Sequence, residues 1–258
     1  MWHSREITDR FVAGLAGEIR EHMTRLSAIG LKSVVVGMSG GADSAVAAAL
    51  AHVSETPVSA VVIEMDHPAR LSENVRRAIS QAERIGVPHQ VVNAAEIYHQ
   101  HLALCDSNSK IARVHLRSRV VNNVVFQFAD NRSAAVLDTR DKSECILRIY
   151  EEAFRGHIAP LAGLYKSEVY ELADYFGLRE LRQLPSGCPE LVDLDAFGAG
   201  WETLDPLLFL LTERKLTPAA IADRYGVDHA WLEELERRIR TQPLRTTTHE
   251  VDIACATR

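Results

Sequence analysis

The chain has 258 residues, of which 47% are hydrophobic, so it is long enough for a sizeable buried core, and this composition argues against disorder along most of its length. Its formal charge of −6 and the lack of a Lys/Arg run argue against nucleic acid as a partner. The charged amino terminus lacks a secretion-signal core and no apolar run approaches the roughly 20 residues of a membrane span, so we expect a soluble, cytoplasmic protein with no membrane partner.

Helix and strand patterns alternate through the first half of the chain. An apolar stripe at helical spacing predicts an amphipathic first helix over residues 5–26. Short β-branched runs predict strands over 33–37, 58–63, 89–92 and 134–137, and helical patterns lie between them over 45–52, 74–85, 111–129 and from 142 onward. Because consecutive parallel strands need helical crossovers, this order predicts an α/β fold with a doubly wound parallel sheet.

The last 90 or so residues are predicted to be mostly helical. Helical periodicity covers 166–176, 196–211, 218–225 and 228–240, and no Pro/Gly/Ser-rich linker separates these segments from the sheet. We therefore expect one domain over residues 1–258 with a helical carboxyl-terminal part. The first helix and an apolar stripe near the carboxyl end are open to two interpretations, a buried core or a dimer face; the stripe consists of Trp201, Leu204, Leu207, Leu208 and Leu211.

The loop with sequence SGGADS lies between the first predicted strand and the helix that follows. Gly40 and Gly41 let the main chain approach a ligand closely, and Ser39 and Ser44 add hydroxyl donors. Backbone N–H groups and the positive end of the helix dipole favour a phosphate at this place. The carboxylate of Asp43 is suited to a magnesium ion that bridges to the phosphates. A plain helix cap is the simpler alternative.

The SGGADS loop resembles the Ser-Gly-Gly-x-Asp-Ser loop of the ATP pyrophosphatase superfamily, and four further motifs resemble the ammonia-dependent NAD synthetase family in order and spacing. Thr139 and Glu144 match Gly-Thr-x-x-x-x-Glu, and Lys166 ends a match to Pro-Leu-x-x-Leu-x-Lys. Ser186 matches a Pro-Ser/Thr element. Asp205 ends a match to Gly-x-x-Tyr-x-x-Ile-Asp. The resemblance covers nearly the whole chain and implies an adenine nucleotide α-hydrolase-like fold.

The resemblance also implies roles for individual residues. ATP and Mg²⁺ are the implied cofactors, with Asp43 and Glu144 as metal ligands and Asp43, Lys166 and Ser186 as the catalytic set. The implied nucleotide-binding residues are Gly37, Ser39, Gly40, Gly41, Asp43, Ser44, Met65, Arg119, Thr139, Lys166 and Ser186. The family forms homodimers, so a homodimer is expected here as well.

The implied activity is that of an AMP-forming amide ligase. In this reaction a substrate carboxylate attacks the α-phosphorus of ATP, pyrophosphate leaves, and ammonia converts the adenylated acid to an amide, as in the formation of NAD from nicotinate adenine dinucleotide. The partners are thus a small-molecule carboxylate and ammonia. Three alternatives stay open: a paralogue that amidates a different carboxylate, a non-catalytic ATP-binding module, and, more distantly, a tRNA-thiolating pyrophosphatase.

Departures from the family pattern concentrate on the substrate side. Asp138 stands where the family has glycine, and the segment 154–157 is shorter than the family's Gly-Asp-Gly segment and lacks its acid. Glu64, Asp66 and Arg70 stand where the family has arginine, proline and glutamine near the adenine. We expect from these changes a modified acceptor pocket and an altered adenine edge.

Overall fold

The computed structural model describes residues 4–105, 109–148, 155–183 and 199–246. The strands in this part of the chain are β1 (Ser33–Met38), β2 (Val58–Glu64), β3 (His89–Asn93) and β4 (Ala134–Val136). The helices are α1 (Asp9–Ser27), α2 (Ala42–Val53), α3 (Glu73–Ile85), α4 (Ala95–Cys105), α5 (Lys110–Asp130), α6 (Lys142–Leu147), α7 (Lys166–Tyr175), α8 (Trp201–Thr212), α9 (Pro218–Tyr225) and α10 (His229–Thr246), with a 3₁₀ helix at Arg179–Gln183.

The four strands form one parallel sheet in the order β3-β2-β1-β4. Central strand β1 pairs with both neighbours, and Val34 is in register with Val58 of β2 and with Ala135 of β4. Helices connect the strands, as parallel pairing requires. The predicted α/β class with a parallel sheet is thereby confirmed.

Both faces of the sheet are covered, which explains why β1 reads as an unbroken apolar run. Val34 and Val36 pack into the apolar cluster that contains residues of α1, α2, α3 and α7. Val35 points to the opposite face and packs with Val125 of α5. All three of these β1 valines are fully buried, and strands buried on two faces lose the usual polar alternation.

The carboxyl-terminal helices form an apolar cluster of their own. The stripe of α8 packs with Leu232 and Leu235 of α10 and with Ile221 of α9; its members are Trp201, Leu204, Leu207, Leu208 and Leu211, and every one is buried within the chain. The core interpretation of this stripe is therefore correct, and its interpretation as a dimer face is wrong.

Element bounds differ from the predictions at several points. Helix α2 begins at Ala42, inside the SGGADS loop, and not at residue 45. Helix α4 was not predicted, because its apolar residues form no single stripe, and Ile97 and Leu104 are exposed. Helix α10 continues to Thr246, past the predicted end at 240. None of the helices formed by the described residues has the length and apolar character needed to cross a membrane.

Candidate active site

The carboxyl ends of β1 and β4 meet where the strand order of the sheet reverses. From β1 the chain builds outward through β2 to β3 and then places β4 on the other side of β1. Ligands of open parallel sheets bind in the crevice at such a reversal. The SGGADS loop follows β1, and Thr139 and Glu144 follow β4. The topology thus brings motifs that are distant in sequence to one edge of the sheet.

The SGGADS loop is a tight turn that leads directly into α2. Gly40 has a φ of 83°, in the left-handed region that favours glycine. The N–H of Ser39 donates to Oγ of Ser44 at 3.2 Å, and the N–H of Gly41 donates to Oγ of Ser39 at 3.3 Å. Gly41 is the N-cap of α2, so the positive end of the helix dipole opens on this turn. The local geometry suits an anion.

Lys166, the first residue of α7, lies among three carboxylates. Its Nζ is 2.7 Å from Oδ1 of Asp43, 2.7 Å from Oδ2 of Asp141 and 3.2 Å from Oε1 of Glu144. These four residues are called the lysine–carboxylate cluster below. The Lys166 side chain is only 7% exposed and that of Asp141 is fully buried, so the charges interact with little screening by water.

Burial and mutual contact set the charges of the cluster. Burial raises the pKa of Glu144, the ammonium of Lys166 lowers it in part, and the negative charges of Asp141 and Asp43 raise it again, so that it ends above the ordinary carboxyl value. For Asp141, burial likewise raises the pKa against the opposing effect of Lys166. Burial lowers the pKa of Lys166, but the three carboxylates outweigh this and keep the side chain an ammonium.

The donor set of the cluster fits a divalent cation. Oxygens of Asp43, Asp141 and Glu144 lie within 4.8 Å of one another. Mg²⁺ prefers carboxylate oxygens and is completed in nucleotide sites by water and phosphate oxygens. With all three acids ionised, the cluster including its ammonium carries two negative charges, which one divalent cation neutralises.

A buried aspartate holds the helix that carries Lys166. Asp205 of α8 accepts hydrogen bonds from Oγ of Ser143 at 2.6 Å and from N and Oγ of Ser167 at 2.8 and 2.6 Å. The Ser143 hydroxyl in turn accepts the N–H of Lys166 at 3.0 Å. Asp205 therefore joins the first turns of α6 and α7, so the positions of Glu144 and Lys166 depend on it.

Asp141 is the cluster residue that the sequence predictions missed. It caps α6: its Oδ1 accepts the N–H of Glu144 at 2.8 Å, and the Glu144 carboxylate accepts the N–H of Asp141 at 3.2 Å. This reciprocal arrangement is a capping box, and its Asp-x-x-Glu spacing is visible in the sequence. The signal for Asp141 was thus present, but it indicates a helix start and not a charged site.

Three further predicted residues, Gly37, Met65 and Arg119, lie outside the lysine–carboxylate cluster and its loop. Met65 is buried and packs with Val120 of α5. Arg119 precedes Val120 and is exposed on the same helix. Packing alone favours glycine at position 37, because a Cβ there would lie 3.0 Å from Cγ2 of Val125. The predicted site residues in the described part of the chain therefore lie at several places: the cluster with its loop, Gly37 in β1, Thr139 after β4, Met65 after β2 and Arg119 on α5.

Glu64, for which the sequence predicts a departure from the family pattern, anchors the turn after β2. Its fully buried carboxylate accepts the N–H groups of Asp66 at 2.7 Å, His67 at 3.1 Å and Ser72. Burial raises the pKa of Glu64, but the hydrogen bonds from Ser72, Asp66 and His67 together outweigh this effect, so the pKa lies below the ordinary carboxyl value. The carboxylate thus shapes the turn between β2 and α3.

Comparison with known proteins identifies the family of the chain. The family profile described as NAD synthase matches residues 16–247, most of the chain. The chain belongs to the NAD synthase family. Among individual relatives, an NH₃-dependent NAD⁺ synthetase of Hyperthermus butylicus is 29% identical over 231 residues, which span 86% of this chain and 84% of the relative.

Solved structures with the NAD synthase fold superpose over nearly the whole chain. An NMN synthetase from Francisella tularensis has a TM-score of 0.77 at 20% identity and covers 96% of this chain and 100% of its own. An NH₃-dependent NAD synthetase from Campylobacter jejuni has a TM-score of 0.75 at 18% identity, with 94% and 98% covered. The membership suggested by the sequence motifs is confirmed, and so is the fold.

The segment for which the sequence predicts a departure from the family pattern packs against Asp138. This buried carboxylate accepts a hydrogen bond from Nε of Arg140 at 2.8 Å and another from the N–H of Gly156 at 3.3 Å. A Cβ at position 156 would lie 2.5 Å from the backbone nitrogen of Asp138, so the two backbones are in close contact. Phe154, at the start of the departing segment, and Ser186, a predicted catalytic residue, lie outside the described residues.

Proposed function

We propose that this chain is an ammonia-dependent, AMP-forming amide ligase that converts nicotinate adenine dinucleotide, ATP and ammonia to NAD, AMP and pyrophosphate. The whole chain, 1–258, would act as one ATP pyrophosphatase domain. Membership of the NAD synthase family supports the reaction type, and relatives such as the Hyperthermus butylicus protein support ammonia as the nitrogen donor.

The observation that carries the proposal is the position of Lys166. Its ammonium lies 2.7 Å from Asp43, whose own helix begins in the SGGADS loop, and 3.2 Å from Glu144. A cation beside a phosphate-binding turn stabilises the negative charge that develops when pyrophosphate leaves. Asp43 and Glu144, with Asp141 beside them, would hold Mg²⁺, which neutralises phosphate charge when it is bound.

The proposed chemistry has two steps. A carboxylate oxygen of the acceptor attacks the α-phosphorus of ATP, and the bond from that phosphorus to the bridging oxygen breaks, so that pyrophosphate leaves with the bond electrons. Ammonia then adds its lone pair to the acyl carbon, the bond from this carbon to the adenylate oxygen breaks, AMP leaves, and one proton is released. The residues of the SGGADS loop, with Lys166, receive the pyrophosphate.

The remaining predicted residues complete the nucleotide site in this proposal. Thr139, half-buried between β4 and α6, would contact ATP beside Glu144, and Ser186 would contact the phosphates. At the end of β2, Met65 and Arg119 would bind the nucleotide on its adenine side, where Glu64 shapes the neighbouring turn. Gly37 would let the strand end approach the nucleotide.

A second candidate differs only in the acceptor. Asp138, which stands where the family pattern has glycine, forms a buried ion pair with Arg140 and contacts Gly156 in the departing segment. This pairing alters the surface that we assign to the acceptor, and it favours a paralogue that amidates another carboxylate. A non-catalytic ATP-binding module is the third possibility. In each case we propose a cytoplasmic homodimer.

Product formation separates these candidates. The purified protein is incubated with ATP, Mg²⁺, ammonium and one acid at a time, and pyrophosphate and amide are quantified. The acids include nicotinate adenine dinucleotide and, because one protein with this fold is an NMN synthetase, nicotinate mononucleotide. We expect pyrophosphate and NAD in equal amounts with the dinucleotide. Turnover only with another acid supports the paralogue, and ATP binding without pyrophosphate from any acid contradicts the ligase proposal.

A further inference from the structure

Helix α3 holds one carbonyl group of the SGGADS loop. The oxygen of Gly40 accepts a hydrogen bond from Nε of Arg77 at 2.8 Å and another from Nε2 of Gln81 at 3.0 Å. Residues four apart lie on one face of a helix, so both donors reach the loop from the same side. Neither residue belongs to the motifs that indicated the function or to the lysine–carboxylate cluster.

The two donors fix the orientation of the peptide between Gly40 and Gly41. In a trans peptide the carbonyl and the following N–H point in opposite directions. A carbonyl held on α3 therefore turns the N–H of Gly41 toward the loop hydroxyls, where it donates to Oγ of Ser39 at 3.3 Å. A bound phosphate meets an N–H dipole at this place, whereas a carbonyl oxygen turned the other way would repel it.

The contact between the loop and α3 is tight and partly buried. A Cβ at Gly40 would lie 2.6 Å from the carbonyl oxygen of Asn74 on α3. Gln81 is only 2% exposed, and its Oε1 has no hydrogen-bond partner among the described residues. Burying a half-satisfied amide is costly. The hydrogen bond from Nε2 of Gln81 to the carbonyl of Gly40 explains why an amide side chain is buried at this position.

The start of α3 is tied to the sheet as well. Ser72 is the N-cap of α3, and its N–H donates to the buried carboxylate of Glu64 at the end of β2. Helix α3 is also buried along Val75, Ala78 and Ala82. The helix that carries the two donors is therefore a fixed support for the loop.

We propose that Arg77 and Gln81 are positioning residues that pre-organise the SGGADS loop for the β and γ phosphates of ATP. The inference rests on the proposed function, because it takes this loop as the site of the leaving pyrophosphate. It assigns the effect of Arg77 to the Nε donor and its geometry, which the point charge of a lysine does not reproduce.

Three variants and a control test the proposal. Arg77→Met and Gln81→Met remove the donors, Arg77→Lys keeps the charge, and Arg76→Met makes the same change at the exposed neighbour on α3. Isothermal titration uses the α,β-methylene analogue of ATP with Mg²⁺, in which the scissile bridge is blocked, and AMP, which lacks both outer phosphates.

We expect both methionine variants to weaken binding of the analogue about tenfold, and Arg77→Lys to weaken it nearly as much. AMP binding should stay within about twofold of the unsubstituted protein in every variant, and Arg76→Met should bind both ligands normally. In turnover assays the KM for ATP should rise with the KM for the acceptor unchanged. Hydrogen exchange in residues 39–44 of the ligand-free protein should become faster in both methionine variants.

Several results would overturn the proposal. Unchanged analogue affinity and unchanged loop exchange in both methionine variants would show that α3 does not organise the loop. Full affinity in Arg77→Lys would assign the effect to charge alone. Equal losses for AMP and the analogue would indicate general damage to the fold. Failure of the proposed function is a separate result, since the unsubstituted protein itself would then bind no ATP analogue or form no pyrophosphate.

Discussion

The Nζ atom of Lys166 lies 2.7 Å from Oδ1 of Asp43, although 123 residues separate them in the chain. Asp43 lies in the first turn of α2, directly after β1, and Lys166 begins α7, which follows β4. The contact therefore joins the two strands that flank the reversal of the sheet. It also places a buried cation beside the SGGADS turn, which is the arrangement on which the proposed chemistry depends.

Replacing Lys166 by methionine should abolish most turnover. We expect Lys166→Met to slow pyrophosphate formation roughly 10²- to 10³-fold, because the departing charge loses a preorganised cation. The matched control is Lys142→Met, since Lys142 also begins a helix but pairs with Glu213 outside the cluster. That variant should stay within about threefold of the unsubstituted rate. Equal losses in both variants, measured as initial rates at saturating ATP, would contradict the assignment.

Removal of a cluster carboxylate should weaken metal binding. Asp43→Asn and Glu144→Gln should each raise the dissociation constant of Mn²⁺ by at least roughly tenfold. Substitution of a residue that only hydrogen-bonds to a metal ligand already costs about that much affinity. Free Mn²⁺ is measured by electron paramagnetic resonance in the presence of the α,β-methylene analogue of ATP. Glu213→Gln is the control, because that carboxylate contacts Lys142 and Tyr165 and not the cluster. Normal Mn²⁺ affinity in both cluster variants would show that Asp43 and Glu144 are not metal ligands.

A methyl group at position 156 should disturb the close contact between Gly156 and Asp138. Gly156→Ala places a Cβ 2.5 Å from the backbone nitrogen of Asp138, and we expect a loss of roughly 1–3 kcal/mol in the free energy of unfolding. Gly163→Ala is the control, because a Cβ there meets nothing within 4 Å. Thermal and urea unfolding measure both, and equal stability of the two variants would be the contrary result.

Much of the sheet was predictable because its strands are short runs of β-branched residues buried on both faces. Val34, Val35 and Val36 carry that signal. The end of α3 was predictable as well, because Gly86 adopts the left-handed conformation that glycine favours at a helix end, with a φ of 82°. Helix α4 was missed for the opposite reason. Its polar and apolar residues do not separate into faces, so the helix depends on its packing against α5 and leaves little periodicity in the sequence.

The candidate site was predictable only where a residue belongs to a motif. Asp43, Glu144 and Lys166 do, and the topology brings them together. Asp141 was missed because the capping pattern that places it is common at ordinary helix starts. Gln81 could not be found at all, since its bond to the Gly40 carbonyl spans 41 residues and depends on how α3 lies against the loop.

The stability contribution of Glu64 should depend on pH. The folded-state pKa of Glu64 lies below the ordinary value of a glutamate carboxyl, so its stabilising effect is fully present above about pH 5.5 and is lost as the pH falls through the folded-state pKa. Glu64→Gln should cost about 2 kcal/mol at pH 7, because three N–H donors lose a charged acceptor. The difference from the unsubstituted protein should shrink below about pH 4.5.

Urea unfolding at pH 7, 5.5, 4.5 and 3.5 measures this difference. The control is Glu73→Gln, an exposed acid in the first turn of α3, whose effect should be small at every pH. A difference between the Glu64 variant and the unsubstituted protein that grows as the pH falls would have the wrong sign and would rule out the assigned role of the Glu64 carboxylate.

Isotope transfer tests whether a carboxylate oxygen of the acceptor attacks the α-phosphorus of ATP. Nicotinate adenine dinucleotide labelled with ¹⁸O in its carboxylate is turned over with ATP, Mg²⁺ and ammonium, and the products are analysed by mass spectrometry. We expect NAD, unlabelled pyrophosphate and AMP that carries one ¹⁸O from the acceptor. Formation of ADP with labelled inorganic phosphate, or of AMP without the label, would contradict this expectation.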